Sequence, residues 1–132
     1  MNKEIDQIIS EFAVFDDWQD KYAYIIDLGK RLPSLDESQK TDDNKVTGCI
    51  SQVWLVHTEE DGKHYFQADS DAFIVKGLLA IILRIFSGKT KAEIVKTNFQ
   101  MLFDSIGLEN HLSVSRSNGV HSVVRKIIAS MD

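Results

Sequence analysis

The sequence has only one cysteine, Cys49, and only one proline, Pro33. A lone cysteine excludes an internal disulfide and any two-cysteine exchange motif. The first residues form an acidic amphipathic pattern rather than a signal peptide, so with the single thiol they predict a reducing, cytoplasmic compartment. Pro33 predicts the end of a helix, because the residue before a proline is pushed out of the helical region.

Basic clusters and long apolar stretches are missing as well. The formal net charge is −5, and no basic run exceeds two adjacent residues, as at Lys30-Arg31. We therefore expect no nucleic-acid partner, because nucleic-acid binding needs a concentrated positive surface. The most apolar stretch, 72–86, contains Lys76 and Arg84 and is too short to cross a bilayer, so we expect no membrane partner either.

Apolar residues at helical spacing predict helices at both ends of the chain. Gly77 interrupts the most apolar of them at a cost of about 1 kcal/mol relative to alanine, which predicts close packing against the sheet or the Cys49 loop. The predicted helices cover about 5–12, 17–31, 72–86, a short stretch after the capping box of Thr90 and Glu93, 98–106, and 120–131.

The middle of the chain has the pattern of a β-hairpin. Apolar and polar residues alternate in 53–58 and 63–68, and the Asp61-Gly62 pair between them is a strong turn signal. We expect 46–47 or its neighbours to add a first strand, which makes an antiparallel sheet of about three strands. Strands in the middle with helices before and after predict a single α+β domain, 1–132, with its helices on one face of the sheet.

Three polar segments connect these elements. The segment 35–45 is acidic and poor in apolar residues, which predicts a flexible connection. Asp69 and Asp71 precede the apolar helix, where carboxylates cap a helix start or, alternatively, face a partner. Arg116 lies among small polar residues before the last helix, either as a solvated loop arginine or as a cation that favours the Cys49 thiolate.

Cys49 has two interpretations, an inert buried thiol or a single reactive nucleophile. Free cysteine is among the most buried residue types, which supports the first. The second is supported by its neighbours, since Gly48 lets the backbone turn and the polar pair Ser51 and Gln52 separates the cysteine from the strand that begins at Val53. Loops held by a rigid scaffold usually carry chemistry, and this thiol lies at a loop–strand junction.

Metal and hydrolase interpretations fit the spacing poorly. The histidines include no short-range pair of the kind that zinc sites use, so we expect neither a metal nor another cofactor. His57 and His64 flank the hairpin, which is typical of a solvated cross-strand pair. Papain-like enzymes place their nucleophile at a helix start, whereas Cys49 precedes a strand.

Three segments in order resemble the SufE family. They are 46–54 around Cys49, Asp69-Ser70-Asp71-Ala72 with the helix that it opens, and 112–119 with Arg116. The resemblance covers nearly the whole chain and implies an α+β fold shared with iron–sulfur scaffold proteins of the IscU type. It further implies a sulfur acceptor that activates a cysteine desulfurase, with Cys49 becoming the persulfide. Ile50 departs modestly from the family, in which this position is often polar.

The resemblance implies partners on both sides of the transfer. A pyridoxal-phosphate-dependent cysteine desulfurase, SufS-like or CsdA-like, would donate the sulfur, and an iron–sulfur scaffold or another acceptor would receive it. The chain would be a carrier and activator rather than an enzyme, and a homodimer stays open. The residues that we expect at the partner surface are Gly48, Ser51, Gln52, Asp69 and Asp71.

One rival interpretation remains. The chain would then be a non-catalytic interaction module in which Cys49 is inert and buried. Cluster assembly on the chain itself is disfavoured, because one thiol supplies too few ligands for a cluster.

Overall fold

The computed structural model describes residues 3–48 and 51–131, so Cys49 and Ile50 lie outside the described residues. Within these ranges two short 3-10 helices, Glu37–Gln39 and Leu108–Asn110, accompany an α+β fold, as predicted. Its elements in chain order are α1 (Lys3–Ala13), α2 (Trp18–Arg31), β1 (Val53–Glu60), β2 (Lys63–Ser70), α3 (Phe73–Phe86), β3 (Lys89–Thr90), α4 (Lys91–Lys96), α5 (Phe99–Ser105) and α6 (Val114–Ser130).

Local sequence accounts for several helix ends. Asp17 accepts the N–H of Asp20 at 2.9 Å and caps α2, which ends just before Pro33 as predicted. Thr90 and Glu93 form the predicted capping box of α4, each satisfying a free amide of the other. None of the helices in the described ranges is long and apolar enough to cross a membrane.

The sheet differs from the prediction in its third strand. In the described chain the order is β1-β2-β3, with antiparallel pairing throughout. The third strand is therefore Lys89–Thr90, while the segment expected to add one, 46–47, is preceded by a single bridge between Lys45 and Trp54. The chain turns at 42–44 and again at Gly48, where φ is +89°, so there is no room for a longer strand.

One face of the hairpin is buried against helices, as predicted. Val53, Leu55 and Phe66 are at most 4% exposed, and paired residues in the register share this face. Helix α3 packs against β2, and α6 packs against β1. The opposite face carries exposed residues such as Tyr65, and no α-helix covers it as α3 and α6 cover the buried face in the described chain.

Gly77 packs against α2, so the expectation that it meets the sheet or the Cys49 loop is wrong. A Cβ built at Gly77 would lie 1.9 Å from the carbonyl oxygen of Ile25, and one built at Gly29 would lie 2.3 Å from that of Phe73. Real Cβ atoms essentially never approach closer than 3.0 Å. The two glycines therefore allow α2 and α3 to touch backbone to backbone.

Replacing Gly77 by alanine tests this contact, because two physical effects predict opposite signs. Helix propensity alone would stabilise the protein by about 1 kcal/mol, whereas the contact predicts a loss of about 1–3 kcal/mol or more from overpacking. We expect a lower free energy of unfolding in urea for Gly77→Ala. The control is Gly62→Ala, where a Cβ meets nothing within 4 Å and only the positive φ opposes alanine. A stabilised Gly77→Ala protein would contradict the close contact.

Candidate functional site

The segment 34–46, which leads to Cys49, is fastened to the outer face of the sheet. The backbone N–H of Leu35 donates to Asp69 at 3.0 Å, and the Leu35 side chain is only 7% exposed. The ammonium of Lys40 lies 5.3 Å from the centre of the Trp54 ring. The segment 35–45, which the sequence predicts to be a flexible connection, makes specific contacts through one apolar residue, Leu35, and one buried carboxylate, Asp69.

Asp69 is the centre of that attachment. Its carboxylate lies 3.6 Å from the Lys40 ammonium and 3.4 Å from that of Lys76, and it is 2% exposed. It also accepts the N–H of Ser70 at 2.8 Å. Burial alone would raise the pKa of Asp69. Backbone N–H donors and the Lys76 cation outweigh burial, so the pKa lies below its ordinary value.

The predicted capping role of the acidic stretch before α3 is wrong. Strand β2 continues through Ser70, and α3 begins at Phe73 after Ala72, which makes no side-chain cap bond. Asp69 and Ser70 belong to the strand because their backbone groups pair with β1. Burial takes Asp69 off the surface, so of the two carboxylates expected to meet a partner only the exposed Asp71 is available.

Asp71 instead joins the end of β2 to the start of β1. Its carboxylate accepts the N–H of Gln52 at 3.2 Å, and its own N–H donates to the carbonyl of Gln52 at 3.4 Å. Both residues are exposed. This two-bond clasp holds the chain three residues after Cys49 and leaves both side chains facing solvent.

Helix α6 begins earlier than predicted. Ser113 caps it by accepting the N–H of Arg116 at 3.2 Å, and the helix runs from Val114. Arg116 therefore lies in the first turn of α6 and not in a loop before it. The small polar residues of this stretch hid the helix, because apolar periodicity starts only at Val120.

A cavity of about 300 Å³ lies between β1, α3 and α6. Apolar side chains form most of its wall, while serines and Arg116 supply the polar groups. Ser51 and Arg116, which are 65 positions apart in sequence, are thus brought to one cavity. The lining residues of the described chain include Ser51, Val53, Val75, Leu79, Arg116 and Val123.

Two described residues close to Cys49 in the sequence, Gly48 and Ser51, both lie near α6. Ser51 lines the cavity, and Gly48 abuts Ser122, since a Cβ built on Gly48 would lie 2.6 Å from Oγ of Ser122. The positive φ of Gly48 confirms the turn predicted there.

The prediction that the histidine pair of the hairpin is solvated is wrong. His64 is 5% exposed, and its Nδ1 lies 2.8 Å from Nε2 of His57. Burial, followed by the charge of His64, lowers the pKa of His57. Among the described residues, no three histidine, aspartate or glutamate side chains come together as metal ligands.

Sequence reasoning missed four polar residues around the candidate site, Lys40, Lys76, Ser122 and Arg125. Lys76 did carry a signal, because a lysine within an apolar helix needs a buried counter-charge or an exit to solvent. Nothing in the local sequence marks Ser122 or Arg125, since both fit the polar side of an ordinary amphipathic helix.

Comparisons with known proteins agree in pointing to one family. The model of the SufE family, described as an Fe-S metabolism associated domain, matches residues 6–131. An uncharacterized SufE-like protein of Rhizobium meliloti is 50% identical over 127 residues, covering 93% of this chain and 91% of the relative. The sulfur acceptor protein CsdE of Escherichia coli is 43% identical over 120 residues, covering 90% and 82%.

A solved structure shares the fold. The solution structure of a hypothetical protein from Thermus thermophilus superimposes with a TM-score of 0.78 at 14% sequence identity. The match covers 98% of this chain and 93% of the other. It supports the α+β architecture.

Asp69→Asn tests the attachment of segment 34–46. A carboxyl whose pKa is lower in the folded state stabilises the fold above its unfolded pKa, and this stabilisation is lost as the pH falls through the folded pKa. We expect the variant to lose about 1.5–3 kcal/mol in free energy of unfolding at neutral pH. We also expect its stability to fall less steeply than that of the wild type on acidification below about pH 4.

Urea unfolding at several pH values measures both effects. Asp16→Asn is the matched control, because Asp16 is an exposed carboxylate outside the attachment. Equal losses in the two variants at neutral pH, or an unchanged acid dependence in Asp69→Asn, would contradict the assigned role.

Proposed function

The chain belongs to the SufE family, and from this premise we propose that it takes sulfur onto Cys49 from a pyridoxal-phosphate-dependent cysteine desulfurase. It is a sulfur acceptor of iron–sulfur metabolism, in line with the family match over 6–131 and the relationship to a sulfur acceptor protein. Cys49 passes the sulfur to an iron–sulfur scaffold or another acceptor. The desulfurase supplies the chemistry that releases sulfur from cysteine, and this chain supplies the thiol.

The observation that carries the residue assignment is that the chain has one thiol. A sulfur acceptor needs a nucleophilic sulfur, and no second cysteine competes for the role. Without a partner thiol in the same chain, a persulfide on Cys49 is not resolved as an internal disulfide. The sulfur therefore stays on Cys49 until another protein accepts it.

The transfer itself is thiol exchange. The Cys49 thiolate attacks the outer sulfur of a persulfide on the desulfurase, a new S–S bond forms on Cys49, and the S–S bond of the donor breaks. The donor cysteine leaves as a thiolate, and the proton given up by Cys49 passes to it or to solvent. No external oxidant or reductant is needed, because the sulfur keeps its oxidation state.

The cavity beside Ser51 supports this role. Cytoplasmic reductants remove an exposed persulfide, so a carrier benefits from an apolar wall next to the loaded sulfur. Val53, Val75 and Leu79 supply such a wall in the cavity that Ser51 also lines. Arg116 at the same cavity adds a cation, which favours thiolate over thiol.

The partner surface follows from the same geometry. Gly48, Ser51 and Gln52 lie within three positions of Cys49 in the sequence, and Asp71 is bonded to Gln52, so a desulfurase that reaches Cys49 meets these residues. The clasp between Gln52 and Asp71 lies on the surface there, so docking meets it directly. Asp69 contributes indirectly, because it holds the segment 34–46, which precedes Cys49 in the sequence.

Intact-mass measurement after incubation with a desulfurase and cysteine tests the proposal. We expect the wild-type chain to gain the mass of sulfur and to lose it again on reduction, and we expect Cys49→Ser to gain none. SufS-like and CsdA-like enzymes are tested in parallel, and the one that loads the chain identifies the donor class. Sulfur on Cys49→Ser would contradict the assignment. A wild type that neither enzyme loads would favour the inert interaction module.

Arg116→Gln tests the cation. Removing a positive charge near a thiol lowers its thiolate fraction, so we expect the pH midpoint for alkylation of Cys49 to rise by roughly half a unit or more. Arg116→Lys keeps the charge and should retain most of the wild-type midpoint. Arg31→Gln, a change in an exposed arginine of α2, is the control. An unchanged midpoint in Arg116→Gln would remove this residue from the site.

A further inference from the structure

The turn that leads into Cys49 rests on one residue of α6. A Cβ on Gly48 would lie 2.6 Å from Oγ and 3.5 Å from Cβ of Ser122, so a side chain at position 48 would force the Ser122 hydroxyl to move. The backbone at Gly48 also has a φ of +89°, which favours glycine independently. Gly48 therefore lies close against the Ser122 side chain, in a backbone conformation that favours glycine.

The Ser122 hydroxyl is held in place by two hydrogen bonds. It donates to the carbonyl of Asn118 at 3.0 Å and accepts from Nη2 of Arg125 at 3.0 Å. A hydroxyl that donates one hydrogen bond and accepts another cannot rotate freely. Its oxygen is thus fixed beneath the Gly48 turn.

The neighbouring turn of α6 holds the same stretch of chain. The ammonium of Lys126 donates to the carbonyl of Asp43 at 3.2 Å. Residues 43–48 therefore touch α6 at two points on the same side of the helix. The approach to Cys49 follows the helix toward the cavity where Ser51 and Arg116 lie.

Apart from the bonds described above, Ser122 and Arg125 contribute little to the stability of the described fold. Ser122 is half-buried, and Arg125 is exposed. In the part of the chain that the structure describes, the Arg125 guanidinium bonds to Ser122 and to no carboxylate within 4 Å. An exposed arginine that bonds to one hydroxyl contributes little to global stability, because solvent-exposed polar contacts are weak.

We propose that Ser122 and Arg125 are positioning residues for the sulfur-accepting cysteine. Arg125 orients the Ser122 hydroxyl, and the hydroxyl supports the Gly48 turn, which sets the direction in which the chain enters Cys49. The inference rests on the proposed function of Cys49 and adds the residues that control its presentation. Loss of either residue frees the turn and lets reagents in solution reach the thiol more often.

The test measures the alkylation of Cys49 by iodoacetamide over a range of pH, without any desulfurase. At high pH, where the thiol is fully ionised, the limiting rate reports access rather than the thiol pKa. We expect Ser122→Ala and Arg125→Ala each to raise this limiting rate by about two- to tenfold, the equivalent of one hydrogen bond. Since the two residues act in series, the double variant should show no more than the larger single effect.

Three controls separate positioning from charge and from stability. Arg125→Lys keeps a donor for Ser122 and should restore most of the wild-type rate, while Arg31→Ala removes an unrelated exposed arginine. The urea unfolding midpoints of the Ser122, Arg125 and Arg31 single variants should stay close to that of the wild type. In addition, the effect of Gly48→Ala on the rate should be smaller in a Ser122→Gly background, because the clashing hydroxyl is gone.

Sulfur loading of the wild type is measured separately, so the two proposals fail in different ways. A wild type that accepts no sulfur overturns the function and leaves the labelling result valid as structure. A wild type that accepts sulfur, with both variants labelled at the wild-type rate, overturns the positioning role alone. Fully additive effects of Ser122→Ala and Arg125→Ala would overturn the claim that they act as a unit.

Discussion

The buried carboxylate of Asp69 is the interaction on which the rest of the site depends. It lies at the end of β2, yet its hydrogen bonds and ion pairs reach Leu35, Lys40 and Lys76, which belong to the preceding segment and to α3. A charge so deeply buried is tolerated only because donors surround it. The bonds that offset the cost of burying it also join three parts of the chain at one point.

From this anchor the chain passes to a second support, helix α6. Asp69 holds the start of the segment, and Lys126 and Ser122 hold its end. On the far side of Cys49, the Gln52–Asp71 clasp fixes the start of β1. The described backbone before and after position 49 is thus supported, and Ser51 lines an apolar cavity. Such an arrangement suits a carrier, which has to keep its sulfur from solvent and still present it to a partner.

Sequence reasoning predicted the parts of this architecture that follow from local patterns. The hairpin, the capping box of Thr90 and the apolar helix α3 were readable because turn residues and periodicity act over a few positions. The errors arose where distant contacts override local preference. Asp69 is a residue type that often caps helices, yet it belongs to strand β2 because its backbone pairs with β1. The segment 35–45 resembles a flexible connection in sequence, and its contact with Asp69 is visible only in the structure. Gly77 needed the position of Ile25 to be explained.

The candidate site shows the same division. Cys49, Gly48 and Arg116 are predicted from their neighbours and from the resemblance, whereas Ser122 and Arg125 are identified only from the position of α6 beside the Gly48 turn. The central claim is that Cys49 carries the sulfur. The most direct measurement is peptide mapping without reductant after incubation with a desulfurase and cysteine that carries a sulfur isotope. The account predicts labelled sulfur on the peptide that contains Cys49, and label confined to the desulfurase or found on any other peptide of this chain would contradict it.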